Sequence, residues 1–195
     1  MIIWLNGAFG AGKTTSAFEL NRRLPNSFVY DPENIGYFIR KNTPKESHKP
    51  DFQDYEQWRS FNYEMLKYIS HVYAGTIIVP MTIHNRQYYD EIVQRLMDDG
   101  ITVKHYILYA EKSTILKRLN KRLARGETWA KSQIDRCIRA FNHDITEEKI
   151  MTDNQSVDFV VEEIARRSGV TLLPDKRTSL QKMIDRYLTL IKHIR

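Results

Sequence analysis

Much of what staples, spans or anchors a chain is missing from these 195 residues. There is one cysteine, Cys137, so an intrachain disulfide is impossible and a reducing compartment fits. Its setting, Ile134-Asp135-Arg136-Cys137-Ile138, reads as helix, where a thiol is buried rather than reactive. No apolar run approaches the roughly 18 residues of a membrane span. The N-terminal run, residues 1–5, is too short for a cleavable leader and passes straight into a glycine-rich turn. Repeats and low-complexity segments are absent, and the length allows one well-buried core rather than two ordinary domains and a linker. The net charge of +6 raises the question of nucleic acid. Its cations, however, cluster at 117–131, at Arg166 and Arg167, and at 176–195, with no aromatic-basic ladder or recognition module beside them. A positive surface for phosphorylated ligands is the simpler expectation, with no nucleic-acid partner.

What is present begins at the N-terminus. Gly7-Ala8-Phe9-Gly10-Ala11-Gly12-Lys13-Thr14 is a complete Walker A pattern, placed after an apolar strand and before a helix, as the motif requires. Glycines let backbone N–H groups turn inward around phosphates, and the following helix adds its N-terminal field. Lys13 is expected on the β/γ-phosphates, Thr14 on Mg²⁺, and Thr15 beside them, so ATP and Mg²⁺ are the expected cofactors.

Periodicity predicts strands at 1–5, 27–30, 76–80, 101–109 and near 149–152. Helices alternate with them: from Lys13 or Thr14 to about Arg23, a short one containing Glu33, one from Asp51 or Asp54 toward Gly75, one through Tyr89, Ile92, Val93 and Leu96, one capped by Ser113, one over 130–143, and one capped by Ser156. The expected fold is α/β: a three-layer P-loop NTPase architecture with a parallel five-stranded sheet, helices on both faces and a short helical lid, nucleoside-kinase-like in plan. Residues 1–175 form that domain, with the lid near 118–136. The tail, 176–195, is an amphipathic basic helix with an apolar stripe of Leu180, Met183, Ile184, Tyr187, Leu188 and Ile191. Packing on the domain is the default; an anionic membrane surface, a protein partner or a dimer contact stay open.

The GTPase signatures Asn/Thr-Lys-x-Asp and Asp-x-x-Gly are absent, and strand 3 ends Val79-Pro80-Met81-Thr82 with no motor-ATPase carboxylate. The carboxylate stands instead at Asp31, after strand 2, which suits a small-molecule kinase. Asp31 can take the proton of an acceptor hydroxyl or position it, and also cap the helix that Pro32 opens; Glu33 is the second candidate. Arg118, Arg122 and Arg125 lie at spacings of four and three, hence on one helical face. They are read as a closing lid over the transferring phosphates, with Arg136 completing the clamp. The acceptor is expected against Asp31, Glu33, Arg40, Trp58, Arg59, Asn62 and Thr82, a mixture of rings and donors that suits a sugar- or ring-bearing molecule; His84 is read as a satisfied loop histidine. Asp153 and Asn154 are expected to cup the adenine, mainly through backbone groups.

Several segments together resemble the ATP-binding tunicamycin-resistance proteins, within the wider group of P-loop small-molecule kinases. They are the opening Met1-Ile2-Ile3-Trp4-Leu5-Asn6-Gly7, then Val29-Tyr30-Asp31-Pro32-Glu33, Ile78-Val79-Pro80-Met81-Thr82-Ile83, Leu116-Lys117-Arg118-Leu119, Gln133-Ile134-Asp135-Arg136-Cys137, Thr152-Asp153-Asn154 and Lys192-His193-Ile194-Arg195. The resemblance implies protection against a lipid-tailed nucleoside antibiotic, by phosphorylating one of its hydroxyls or by binding alone. It implies that Asp31 is the acidic substrate-side position and that Arg118 and Arg122 are lid arginines. It also implies a cytoplasmic protein, with the segment from Thr178 onward as the means of any attachment to the inner membrane face. A housekeeping small-molecule kinase keeps the same chemistry with another acceptor.

Overall fold

The structure, a computed structural model, describes residues 1–121 and 127–193. The first strand, Ile2–Asn6 (β1), is wholly buried, and its alternation divides two cores. Ile2 and Trp4 face one helical layer, Ile3 and Leu5 the other, which is the two-sided burial expected of a central parallel strand. Residues 7–12 turn into Lys13–Arg23 (α1). Ser27–Val29 (β2) leads to Glu33–Lys41 (α2), whose N-cap position is Pro32. Then come Glu56–Val72 (α3) and Thr76–Pro80 (β3).

A continuous helical run follows as Arg86–Tyr89 (α4), a π-helical stretch Asp90–Gln94, and Arg95–Asp98 (α5). Val103–Tyr109 (β4), Lys112–Asn120 (α6), Glu127–Ser132 (α7), Ile134–His143 (α8), Lys149–Met151 (β5), Val157–Ser168 (α9) and Ser179–His193 (α10) complete the order. The five strands run parallel in the order β2-β3-β1-β4-β5. β3 therefore separates β1 from β2, and their carboxyl ends open on one edge, where ligands of doubly wound sheets bind.

Four local expectations change. Ser113 lies inside α6 rather than capping it; Glu111 holds the cap position. The helix expected over 130–143 is interrupted at Gln133, whose N–H is shared between Trp129 O and Ala130 O while Ser132 Oγ donates to Trp129 O. α3 opens at Glu56 because Asp51 instead caps a short 3₁₀ turn, Phe52–Asp54, by accepting from Gln53 N at 3.0 Å.

The largest change is α10. Leu180, Met183, Ile184, Tyr187, Leu188 and Ile191 are 47–63% exposed, so the helix docks on the domain by its charged face. Glu19, whose side chain is 3% exposed, binds Arg177 and Arg186. Asp158 binds Lys182 and Arg186, and Asp175 binds Arg177 and Lys182. The reason lies in the receiving surface: α1, α9 and the 170s loop present carboxylates there, and buried charge is tolerated only when paired. Glu19, Asp158 and Asp175 bring their oxygens within 4.8 Å of one another. Four cationic side chains, Arg22, Arg177, Lys182 and Arg186, already compensate them, so their arrangement is that of an ion-pair network and not of a cation site.

Candidate active site

Everything at the site hangs on Asn6, which has no solvent exposure. Its Oδ1 accepts from Gly7 N at 2.8 Å and Ile83 N at 2.9 Å, and its Nδ2 donates to Ile83 O at 2.8 Å. The end of β1 is thereby tied to the segment after β3. Thr82 Oγ1 adds a bond to Gly7 O at 2.8 Å. Gly7 has φ +140, and a Cβ there would stand 2.4 Å from Leu108 O, so no other residue fits between the loop and β4. Gly12, at φ +103, is the N-cap residue of α1. Residues 7–12 thus turn tightly into the start of α1, with left-handed glycines at 7, 10 and 12, the backbone form of an anion nest. Lys13 Nζ lies across it, donating to Gly7 O at 2.9 Å and Ala8 O at 3.0 Å, 5.4 Å from the Phe9 ring centroid. Ala11 N closes a turn onto Ala8 O. Thr14 and Thr15 occupy the first turn of α1, so the residues present fit a triphosphate and a small hard cation.

A cavity of about 380 Å³ runs from this loop. Gly10, Gly12 and Thr15 form its loop end. Arg118 and Thr152 line it further on, fastened together by Arg118 Nη1 to Thr152 Oγ1 at 3.0 Å and Nη2 to the Thr152 carbonyl. Burial lowers the Arg118 pKa, against the pull of Asp153. Gln155, Val157 and Val160 of the α9 region and Leu190 of α10 also line it. Asp153 and Asn154, expected beside the base through their backbone groups, form the turn between Thr152 and Gln155, both of which line the cavity. The Asp153 carboxylate accepts from Glu111 N at 3.2 Å, and Asn154 adopts a left-handed φ of 56° at the turn. Phe9 touches Trp129 of α7 edge-on, with ring centroids 5.0 Å apart, which joins the loop to the lid segment. Arg122, Leu123, Arg125 and Gly126 lie outside the described residues.

On the other flank, Asp31 follows β2 and accepts from Glu33 N at 3.0 Å, while Tyr37 OH donates to Glu33 Oε2 at 3.3 Å. Burial, then the Asp31 charge, pushes the Tyr30 phenol up. The remaining residues expected against the acceptor hold the wall in place. Trp58 is fully buried, with Nε1 donating to Pro32 O at 3.0 Å. Asn62 accepts from Tyr30 OH and donates to Trp58 O, both at 2.8 Å. Arg59 pairs with Glu91, donates to Gln53 O and stacks on Tyr88. Arg40 donates to Lys49 O and Pro50 O and stacks on Phe52, pinning the 40–50 loop.

Beyond β3, His84, read from the sequence as a satisfied loop histidine, is instead left without a well-formed hydrogen bond, and it meets Gln133, which sequence reasoning gave no role. His84 is 7% exposed, and its ring nitrogens have no hydrogen bond of ordinary geometry among the described residues, with the Gln133 side chain beside them. Gln133 and Arg136 face it from the segment around α8 and Asp54 from the 3₁₀ turn. Burial first, then the Arg136 charge, brings its pKa down to about 4, so the ring is neutral at pH 7. The Gln133 Oε1 is likewise buried without a partner. Asp51 nearby has its pKa raised by burial, and Cys137, fully buried, is pushed up to about 11 for the same reason. The neutral His84 ring and the Gln133 amide thus stand desolvated beside the Arg136 charge, where a hydroxyl or amide of a ligand can bond to them. Nothing in the sequence links positions 49 residues apart, so only the fold could bring His84 and Gln133 together.

No protein-family model matches the chain, and no curated protein does. Solved structures do. The tunicamycin resistance protein of Deinococcus radiodurans is 34% identical, with a TM-score of 0.75, over 89% of this chain and 98% of its own. A sugar kinase from Janibacter sp. HTCC2649 is 17% identical (TM-score 0.61; 87% and 95% covered). A shikimate kinase from Bacteroides thetaiotaomicron is 16% identical (TM-score 0.61; 87% and 99% covered). The latter two share the fold at low identity. The identity with the first, carried across nearly the whole of both chains onto a matching fold, means that this chain belongs to the tunicamycin resistance protein family.

Proposed function

We propose that the protein is an ATP- and magnesium-dependent phosphotransferase whose acceptor is a hydroxyl of a nucleoside- or sugar-like molecule, tunicamycin being the first to test. The observation that carries this reading is the Asn6–Thr82 anchorage, which ties the phosphate loop to the end of β3; Asp31 follows β2, the strand paired with β3, which supports placing the acceptor on that side. ATP supplies the phosphoryl group. The loop N–H groups hold its charge, and Lys13 leaves the Gly7 and Ala8 carbonyls for the phosphate oxygens. Thr14 would hold the magnesium ion, which would neutralise phosphate charge. Asp31 orients the acceptor hydroxyl and takes its proton, while Glu33 braces the same helix start. Arg118 and Arg136, with Arg122 of the lid, supply positive charge as the transferring group loses its bridging oxygen. His84 and Gln133 favour an uncharged acceptor.

The reading is tested by ADP release that depends on added acceptor. Asp31→Asn is expected to bind ATP with wild-type affinity and lose transfer by about 100-fold or more; transfer at the wild-type rate would remove Asp31 from the role of base.

A second reading has its own observation. The outward stripe of α10 is a contiguous apolar patch flanked by Lys192, which suits insertion into an anionic bilayer surface. The protein would then bind the drug at the membrane face without modifying it. Cosedimentation with phosphatidylglycerol vesicles, lost in Ile184→Asp/Leu188→Asp, supports it; equal sedimentation of both proteins dismisses it.

A further inference from the structure

We infer that the C-terminal helix is a working part of the nucleotide site, with Leu190 as one wall of the slot that takes the base. The inference rests on the reading of residues 7–15 as a triphosphate site. The cavity that includes Gly10 and Gly12 has two kinds of wall. Its loop end offers N–H groups and hydroxyls. Its apolar wall is made by Val157 and Val160 of α9 and by Leu190 of α10, with Arg118 and Gln155 in the same lining. A flat, weakly polar ring joined to a polyanion fits that pair of surfaces, and bare polyphosphate uses only the first of them.

Leu190 is held there by contacts that do not involve its own stripe. Phe18 of α1 and His193 of α10 stack with ring centroids 4.2 Å apart. Arg186 reaches Asp158 of α9 at 2.7 Å, and Lys182 reaches the same carboxylate at 3.3 Å. Arg177, just before the helix, grips Glu19 of α1. α10 is thus clamped to the helix that begins at the phosphate loop and to the helix that carries the other apolar wall. Two consequences follow from linkage. Base binding strengthens the docking of α10, and displacement of α10 weakens the base. Since α10 turns its apolar face outward, a surface that pulls on that face would also loosen the nucleotide.

The test compares two ligands by titration calorimetry: MgATP, and magnesium tripolyphosphate, which has no base. Leu190→Ala is expected to weaken MgATP about 5- to 10-fold, the loss of most of one buried apolar contact, and to leave tripolyphosphate unchanged. Leu180→Ala, on the outward face, should leave both unchanged. Equal MgATP affinity in wild type and Leu190→Ala overturns the inference, and so does an equal loss for both ligands, which would make α10 a support of the fold alone. If wild type binds neither ligand, the triphosphate reading itself falls. As a check free of mutation, MgATP should slow amide hydrogen exchange across residues 186–193 of the intact protein, and tripolyphosphate should not; equal effects contradict the inference.

Discussion

Asn6 shows how much of this site depends on a residue with no direct chemistry. One amide side chain satisfies the Gly7 and Ile83 N–H groups and the Ile83 carbonyl, all buried where water cannot replace it. Asn6→Ala strands those groups, and each unsatisfied buried partner costs about 1–3 kcal/mol. Chemical denaturation should therefore show a loss of about 3 kcal/mol or more, with ATP binding weakened because Gly7 is no longer held. A loss under about 0.5 kcal/mol would contradict this account of the anchorage. Asn6 was visible in the sequence only as the residue before the first glycine. Its role depends on Ile83, 77 positions away, which no local pattern reports. Lys13, Thr14 and Asp31 were legible because their chemistry is written in contiguous residues. Trp58 and Asn62 were legible as buried or polar, but not as wall supports whose polar atoms face inward.

At the level of elements, local signals served well where the cause is local. Ser156 caps α9 by accepting from Phe159 N at 3.1 Å, and alternate residues of β1 divide between the two cores. α10 marks the limit. Spacing shows that a helix has an apolar face; it cannot say which face meets the domain, because that depends on what the domain presents. The clue was Glu19, a carboxylate on the buried side of α1 among Ser16, Ala17 and Leu20. Its partners, Arg177 and Arg186, are more than 150 residues distant. Removing one member of a buried ion-pair network costs about 3–5 kcal/mol; with Arg177 partly solvated, Glu19→Ala should cost less, about 2 kcal/mol. The expected signs are fast hydrogen exchange in α10 and unchanged exchange in the central strands. Unchanged protection of α10 in Glu19→Ala would show that these pairs do not hold the helix.

For the whole molecule, acid is the informative stress. His84 and His105 are both buried, and burial lowers their pKa values from 6.5 to about 4 and about 3. The unfolded chain therefore takes up protons first as pH falls. Stability is full above about pH 6.5 and declines below it, by about 1.4 kcal/mol per pH unit for each histidine. The decline from His84 ends near pH 4, and that from His105 nearer pH 3. Urea titrations between pH 7 and 4 should show this slope in wild type and a reduced one in His84→Gln; a flat profile in wild type contradicts the burial argument.

The central claim is catalysis rather than capture, and one measurement addresses it directly. Tunicamycin is incubated with the purified protein, ATP and magnesium, with Lys13→Ala in parallel, and the drug is analysed by mass spectrometry. The account predicts a gain of one phosphate on the drug, absent with Lys13→Ala, and fragmentation that places it on a hydroxyl. Unmodified drug, recovered from a protein that binds both it and ATP tightly, would contradict phosphotransfer to tunicamycin and leave binding as the basis of resistance.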